Sequence, residues 1–138
     1  MAHWLLKSEP SSWSWNQQAA AGAKGTFWSG VRNHAAKANL MAMRRGDQAF
    51  FYHSGEGKEI VGVVEVIKEY YPDPTDETGK FGMVDVKAVE ALPEPVTLAE
   101  VKAEPRLKGM ALIKQSRLSI QPVSDEEWKI IRRMGGLK

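Results

Sequence analysis

Alternating and helically spaced apolar positions divide the chain into short strands and short helices. From His3 to Lys7, Trp4 and Leu6 fall on one face of an extended segment, and Leu5 and Lys7 on the other. Pro10 and the nearby serines end that strand. Asn16 to Ala21 predicts a short helix stopped by Gly22 and Gly25. Asn33 is placed to cap a second helix. Its Ala36, Leu40 and Met43 form a stripe at helical spacing, and Gly46 fits the position past its end. Gln48 to His53 alternates again, with Phe50 and Tyr52 against Ala49, Phe51 and His53. Ser54-Gly55-Glu56-Gly57 then reads as a hairpin turn. Glu59 to Ile67 is nearly all Val and Ile, which predicts a strand covered on both faces, as in a closed barrel. Gly62 in its middle marks strong bending or a backbone approached closely by another group.

In the second half, Tyr70 to Gly82 is polar and holds Pro72, Pro74 and Gly79, so it reads as an exposed loop. Met83 to Glu90 alternates, with Val84, Val86 and Ala88 inward and Asp85 and Lys87 outward. Pro93 and Pro95 are expected to break the chain. Thr97 with Glu100 predicts a capping box for a short helix through about Lys102, and Arg106 to Lys114 a further short helix. Arg117 to Val123 is the last strand, closed by Pro122. Leu118 and Ile120 would enter its core face, leaving Arg117, Ser119 and Gln121 for a polar face. Ser124 and Glu127 form a second capping box. It opens a helix with Trp128, Ile130, Ile131 and Met134, where Arg132 and Arg133 suit the C-terminal dipole and Gly135 ends the element. Five or six strands with helices near their ends predict an α+β fold, a small, mostly antiparallel, barrel-like sheet, in a single domain over residues 1–138.

Composition narrows the chemistry. Lysines and arginines number 19 against 17 acids, so the chain is not one that coats itself with phosphate backbone. There is no cysteine, which excludes disulfides, thiolate nucleophiles and Cys-based zinc sites. Three scattered histidines, His3, His34 and His53, do not suggest a catalytic metal. Met1 to Leu6 runs straight into Lys7 and Glu9, unlike a secretory leader, and no apolar run approaches a membrane span. The expected setting is soluble and cytoplasmic, with no membrane partner. No Gly-x-Ser-x-Gly elbow, phosphate loop or dinucleotide fingerprint is present, and no cofactor is implied. Glu100, Asp125, Glu126 and Glu127 have capping explanations. Glu9 is less explained, but one carboxylate is not an acid–base pair.

Residues with poor structural excuses fall in four segments: Lys7-Ser8-Glu9-Pro10, Trp28-Ser29-Gly30-Val31-Arg32-Asn33, Tyr52-His53-Ser54, and Ser116 to Val123. The second sets a large ring, a flexible joint, a fixed cation and an amide within six residues, the equipment for holding a planar, polar heterocycle. Two other readings stay open. One is an enzyme acting on a small heterocycle or nucleotide through His53 and Glu9. The other is a domain that binds a peptide through an exposed Trp and the Pro-rich stretch Tyr70 to Thr75.

These segments, with Phe51-Tyr52-His53-Ser54 and Tyr71-Pro72-Asp73-Pro74-Thr75, resemble the EVE domain family in the right order and at plausible spacing over almost the whole chain. That family belongs to the PUA-like superfamily of small pseudo-barrels and is related to the YTH readers of methylated adenine. The resemblance implies a non-catalytic reader of DNA or RNA that takes a modified base, especially a modified cytosine, into a pocket. A protein partner is a further possibility. By resemblance, Lys7, Ser8 and Trp28 line the base pocket. Ser29, Gly30, Val31, Arg32, Asn33, His53, Ser54, Arg117, Leu118 and Ser119 match other pocket-side positions. His34 and Lys37 depart from the family's common Tyr and Arg. On this reading Trp28 stacks on the base, and Ser8, Ser119 and Asn33 read its edge. Lys7, Arg32 and Arg117 meet phosphate or a base acceptor. Tyr52, Tyr70 and Trp15 compete as the second aromatic wall.

Overall fold

Residues 2–137 are described by a computed structural model. They form one mixed sheet from β1 (His3–Ser8), β2 (Thr26–Trp28), β3 (Gln48–His53), β4 (Glu59–Pro72), β5 (Gly82–Thr97) and β6 (Ile120–Val123). The strand order is β2-β5-β4-β3-β1-β6. β1 runs parallel to β3, and the remaining pairs are antiparallel. Helices α1 (Trp15–Ala20), α2 (His34–Ala42), α3 (Leu98–Ala103), α4 (Ala111–Lys114) and α5 (Asp125–Met134) flank the sheet. The α+β, mostly antiparallel architecture is as the sequence predicts. Hydrogen-bonded closure is not: β2 and β6 are the two edges of an open sheet.

Strand alternation divides the core in two. Trp4, Leu6, Phe51, Val64, Val84 and Val86 pack with Ala36, Leu40 and Met43 on one side. Leu5, Phe50, Val63 and Val96 pack with Val101, Trp128 and Ile131 on the other. The central strands are therefore apolar on both faces because helices cover both, which explains the unbroken Val/Ile run of β4 without a closed barrel.

The predicted caps are present. Asn33 Oδ1 accepts from the Ala36 N–H at 3.0 Å. Thr97/Glu100 and Ser124/Glu127 are reciprocal capping boxes. Other expectations are corrected. β4 continues through Pro72, so Tyr70 to Pro72 are strand rather than loop. β5 runs past Pro93 and Pro95, because its ladder with β4 jumps from Gly62↔Ala91 to Ile60↔Val96 and asks no N–H of the residues between. The helix expected over Arg106 to Lys114 is a 3-10 turn at Pro105–Leu107 and then α4. The last strand begins only at Ile120. Gln121 does not face solvent: it is wholly buried, and its amide donates to the carbonyls of Ala111, Gln115 and Leu118. Pro122 lies within β6, where an edge strand tolerates it.

Two glycines seat the elements beside the site. A Cβ on Gly62 would stand 2.5 Å from the Trp15 ring, so Trp15 is the group that approaches this backbone. Gly25 has φ +70°, and a Cβ there would meet the Val86 carbonyl oxygen at 2.4 Å. Only glycine lets the chain enter β2 so close to β5.

Candidate functional site

A cavity of about 350 Å3 opens where β1 and β2 end. Lys7 and Ser8 border it from β1, Ser12 and Trp13 from the turn that follows, and Thr26 to Ser29 from β2 and its exit. Four residues singled out in the sequence, Lys7, Ser8, Trp28 and Ser29, thus stand together. Trp28 is only 7% exposed. Its ring packs edge-on against Phe51, with centroids 5.4 Å apart, and its remaining surface borders the cavity. The indole serves core and cavity at once.

Trp13 is the second indole on the cavity, in place of the three candidates weighed from sequence. Trp15 lies over Gly62 and edge-on to Phe51. Tyr52 is buried in the opposite core, and Tyr70 covers Gly82. Trp13 is held at both ends. Its Nε1–H donates to Gln18 Oε1 at 2.8 Å, and the wholly buried Gln18 donates in turn to the Val86 carbonyl at 3.2 Å. The Ser8 hydroxyl donates to the Trp13 carbonyl at 2.6 Å, leaving its oxygen acceptor capacity. Sequence periodicity could not find Trp13, which sits in a serine-rich turn. The available signal was a large ring with no apolar stripe to join.

The Lys7 ammonium lies on the face that alternation predicts. Alternation turns it to the Leu5 side of β1, where Nζ donates to the Ser116 carbonyl at 2.7 Å and lies 5.8 Å from the Tyr52 ring. Burial pushes its pKa below the ordinary lysine value.

The run after Trp28 is organised by Asp73, which the polar pattern of Tyr70 to Gly82 predicts to lie in an exposed loop. Asp73 is 2% exposed. Its Oδ2 accepts from the Gly30 N–H at 2.9 Å and from Arg32 Nη1 at 3.2 Å, while Oδ1 accepts from the Thr75 N–H and hydroxyl. Burial alone would raise this carboxyl's pKa. The bonds from Thr75, Gly30 and Arg32 outweigh it and hold the value at about 2. Gly30 takes φ +83° to make its bond. Arg32 also donates to Thr75 Oγ1 at 2.9 Å, so its guanidinium braces this loop. Val31 is buried in the core, and the Asn33 side-chain oxygen is committed to capping α2. None of Gly30, Val31, Arg32 and Asn33 lines the cavity; Arg32, whose side chain is 40% exposed, clamps Asp73 and Thr75 from the surface.

The remaining candidates stand apart from the cavity. His53 Nε2 accepts from the Trp15 N–H at 3.0 Å, and burial lowers its pKa below 6.5 against an opposing pull from Glu59. Ser54, whose N–H donates to the Ser8 carbonyl, borders a separate, smaller groove with Glu9 and Pro10. Arg117 is exposed, Leu118 is buried, and Ser119 contributes its carbonyl to the Lys7 N–H at 2.9 Å. His34, Arg32 and Lys37 gather around the Phe81 ring, 5.1, 5.9 and 5.8 Å from it. Among the described residues, no group of three or more His, Asp or Glu is placed to hold a metal. Among the same residues, no helix is long and apolar enough to cross a membrane.

The sheet and its flanking helices define a PUA-like α+β fold. The chain belongs to the EVE domain family, whose model matches residues 2–134. It is similar to the NMR structure of Rpa0253 from Rhodopseudomonas palustris, at 66% identity and TM-score 0.93 over 99% of this chain and 94% of that one. It is 38% identical to thymocyte nuclear protein 1 of Gallus gallus over 94% of this chain, and spans 66% of that protein's length. A crystal structure of human THYN1 in complex with 5-methylcytosine-containing DNA is 34% identical, with TM-score 0.93 over 100% of this chain and 99% of that one. In fold alone, the chain is similar to the YTH domain of the Zygosaccharomyces rouxii MRB1 protein, at TM-score 0.61 and 16% identity over 99% of this chain and 88% of that one.

Proposed function

We propose that this protein is a nucleic-acid-binding module that receives a modified base, turned out of its stack, in the cavity bordered by Trp13 and Trp28. The observation that carries the reading is a cavity of about 350 Å3 bordered by two tryptophans, Trp13 and Trp28, together with the hydroxyl-bearing residues Ser8, Ser12, Thr26 and Ser29. That size falls within the span of small-molecule pockets, roughly 300–1,000 Å3. The human relative crystallised with 5-methylcytosine-containing DNA supports the ligand class. The indoles stack on the base, each such contact being worth about 1–3 kcal/mol. The hydroxyls and nearby backbone groups read its edge, because a polar group buried without a partner costs about 1–3 kcal/mol. Gly30 to Asn33 act from behind by fixing the chain that leaves Trp28, and exposed Arg117 meets phosphate.

Turning a base out costs a few kcal/mol, which offsets much of the stacking gain. With only two more cations than acids, general attraction to phosphate adds little, so modest affinity is expected. The role is recognition rather than catalysis. The test is a titration with short oligonucleotides carrying plain or modified cytosine and adenine, followed by tryptophan fluorescence. A modified base should quench more strongly and at lower concentration than its plain counterpart, and Trp13→Ala should abolish the difference. Identical titrations for every oligonucleotide and for the variant would refute the reading.

A further inference from the structure

Phe27 is 57% exposed, more than any other large apolar side chain among the described residues. It is not on a loose loop. β2 holds it in register opposite Asp85, between the Thr26↔Val86 and Trp28↔Val84 pairs, and Gly25 pins the entry to the strand against Val86. Trp28, the next residue, turns its ring into the core, so alternation turns the Phe27 ring outward, and Phe27 still borders the cavity. The carboxylate across the ladder is occupied: Asp85 accepts from the Tyr71 hydroxyl, and Lys68 Nζ sits 3.9 Å from the Tyr71 ring. The ring's surroundings are therefore not those of a bare negative charge. A rigid, water-exposed phenyl at the rim of a cavity sized for a small flat ligand has no role in this protein's own core.

We propose that Phe27 is a wedge. When a base enters the cavity, the phenyl ring fills the gap left in the stack. The favoured ligand is then a double-stranded nucleic acid from which one base is turned out, not a strand that is already single. Duplexes lose stacking on both sides of an extruded base, and an inserted apolar side chain restores part of it. A single strand presents no such gap. This inference rests on the cavity's role as a base pocket and adds to it the form of nucleic acid preferred.

The test measures fluorescence anisotropy of a labelled oligonucleotide carrying 5-methylcytosine, once as a duplex and once as a single strand. The proteins compared are the wild type, Phe27→Ala, Phe27→Leu and Trp13→Ala. Thermal melts check folding, which an exposed ring should not govern. Phe27→Ala is expected to weaken duplex binding by about tenfold, within the spread for loss of one ring contact. It should leave single-strand binding within about twofold, and Phe27→Leu, which keeps an apolar wedge, should recover most of the duplex loss. Unchanged duplex binding by Phe27→Ala, or an equal loss on both ligands, overturns the wedge while Trp13→Ala still reports on the pocket. A wild type that binds neither ligand overturns the pocket reading and the wedge with it.

Discussion

Gly30 and Asp73 are joined by a 2.9 Å hydrogen bond across 43 residues of sequence, backbone N–H to carboxylate. This bond fixes where the chain goes after Trp28. Asp73→Ala removes the acceptor of the Gly30, Arg32 and Thr75 donors at once. The variant is expected to lose about 3 kcal/mol of stability in chemical denaturation, the scale for orphaned buried donors and a cation. It should also bind modified-base oligonucleotides more weakly, although Asp73 does not line the cavity.

The same carboxyl sets an acid limit. Its pKa is about 2 in the fold against an ordinary value of 3.8. A depressed folded value means that the unfolded chain binds the proton first. This contribution is complete above pH 4 and is lost as pH falls towards 2. Urea denaturation across that window should show stability falling with pH, and less steeply in Asp73→Asn.

His53 works near neutrality with the same sign. Its folded pKa lies below 6.5, through burial, so it is neutral at pH 7 and accepts from the Trp15 N–H. Acidification below 6.5 should therefore destabilise the protein, as protonation removes that acceptor. NMR titration should place His53 below the ordinary histidine value, and His53→Gln should lose the part of the stability change due to this ring.

The two cavity indoles should separate cleanly by substitution. Trp28 is buried against Phe51, so Trp28→Ala is expected to cost about 3–5 kcal/mol and to confound binding with folding. Half-buried Trp13 packs against the same core and donates to Gln18, so Trp13→Ala should cost less stability than Trp28→Ala while removing base binding. Calorimetry beside fluorescence titration tests this contrast.

Gly62→Ala would place a methyl group 2.5 Å from the Trp15 ring. A destabilisation of about 1–3 kcal/mol is expected from overpacking. The double variant Gly62→Ala with Trp15→Leu should recover part of it relative to the sum of the single changes, and a thermodynamic cycle measures the difference.

The elements most legible in the sequence are those whose signals are local. Ser124 with Glu127, Thr97 with Glu100, and Asn33 at the start of α2 each announce a helix through bonds made within one turn. The faces of β1 and β3 follow from two-residue alternation. What was hidden depends on partners distant in sequence. Pro93 and Pro95 read as breaks because only the register with β4 reveals that the ladder skips them. Gln121 reads as a solvent-facing amide because the carbonyls that accept from its Nε2 come from α4 and the segment after it. In the candidate site, Lys7, Ser8, Trp28 and Ser29 stood out by residue type. Asp73 and Trp13 did not, since their roles come from Gly30 and Gln18, which no periodic pattern connects to them.

The place of β1 between β3 and β6 has a kinetic consequence. His3 to Leu6 pair with Ile120 to Val123, and Ser119 receives the Lys7 N–H. Closing so long a loop delays the reward for ordering the first strand. During synthesis, β1 must wait for β6 to emerge before both its edges are satisfied. The rim that carries Ser8 therefore sets late among the strands of this sheet.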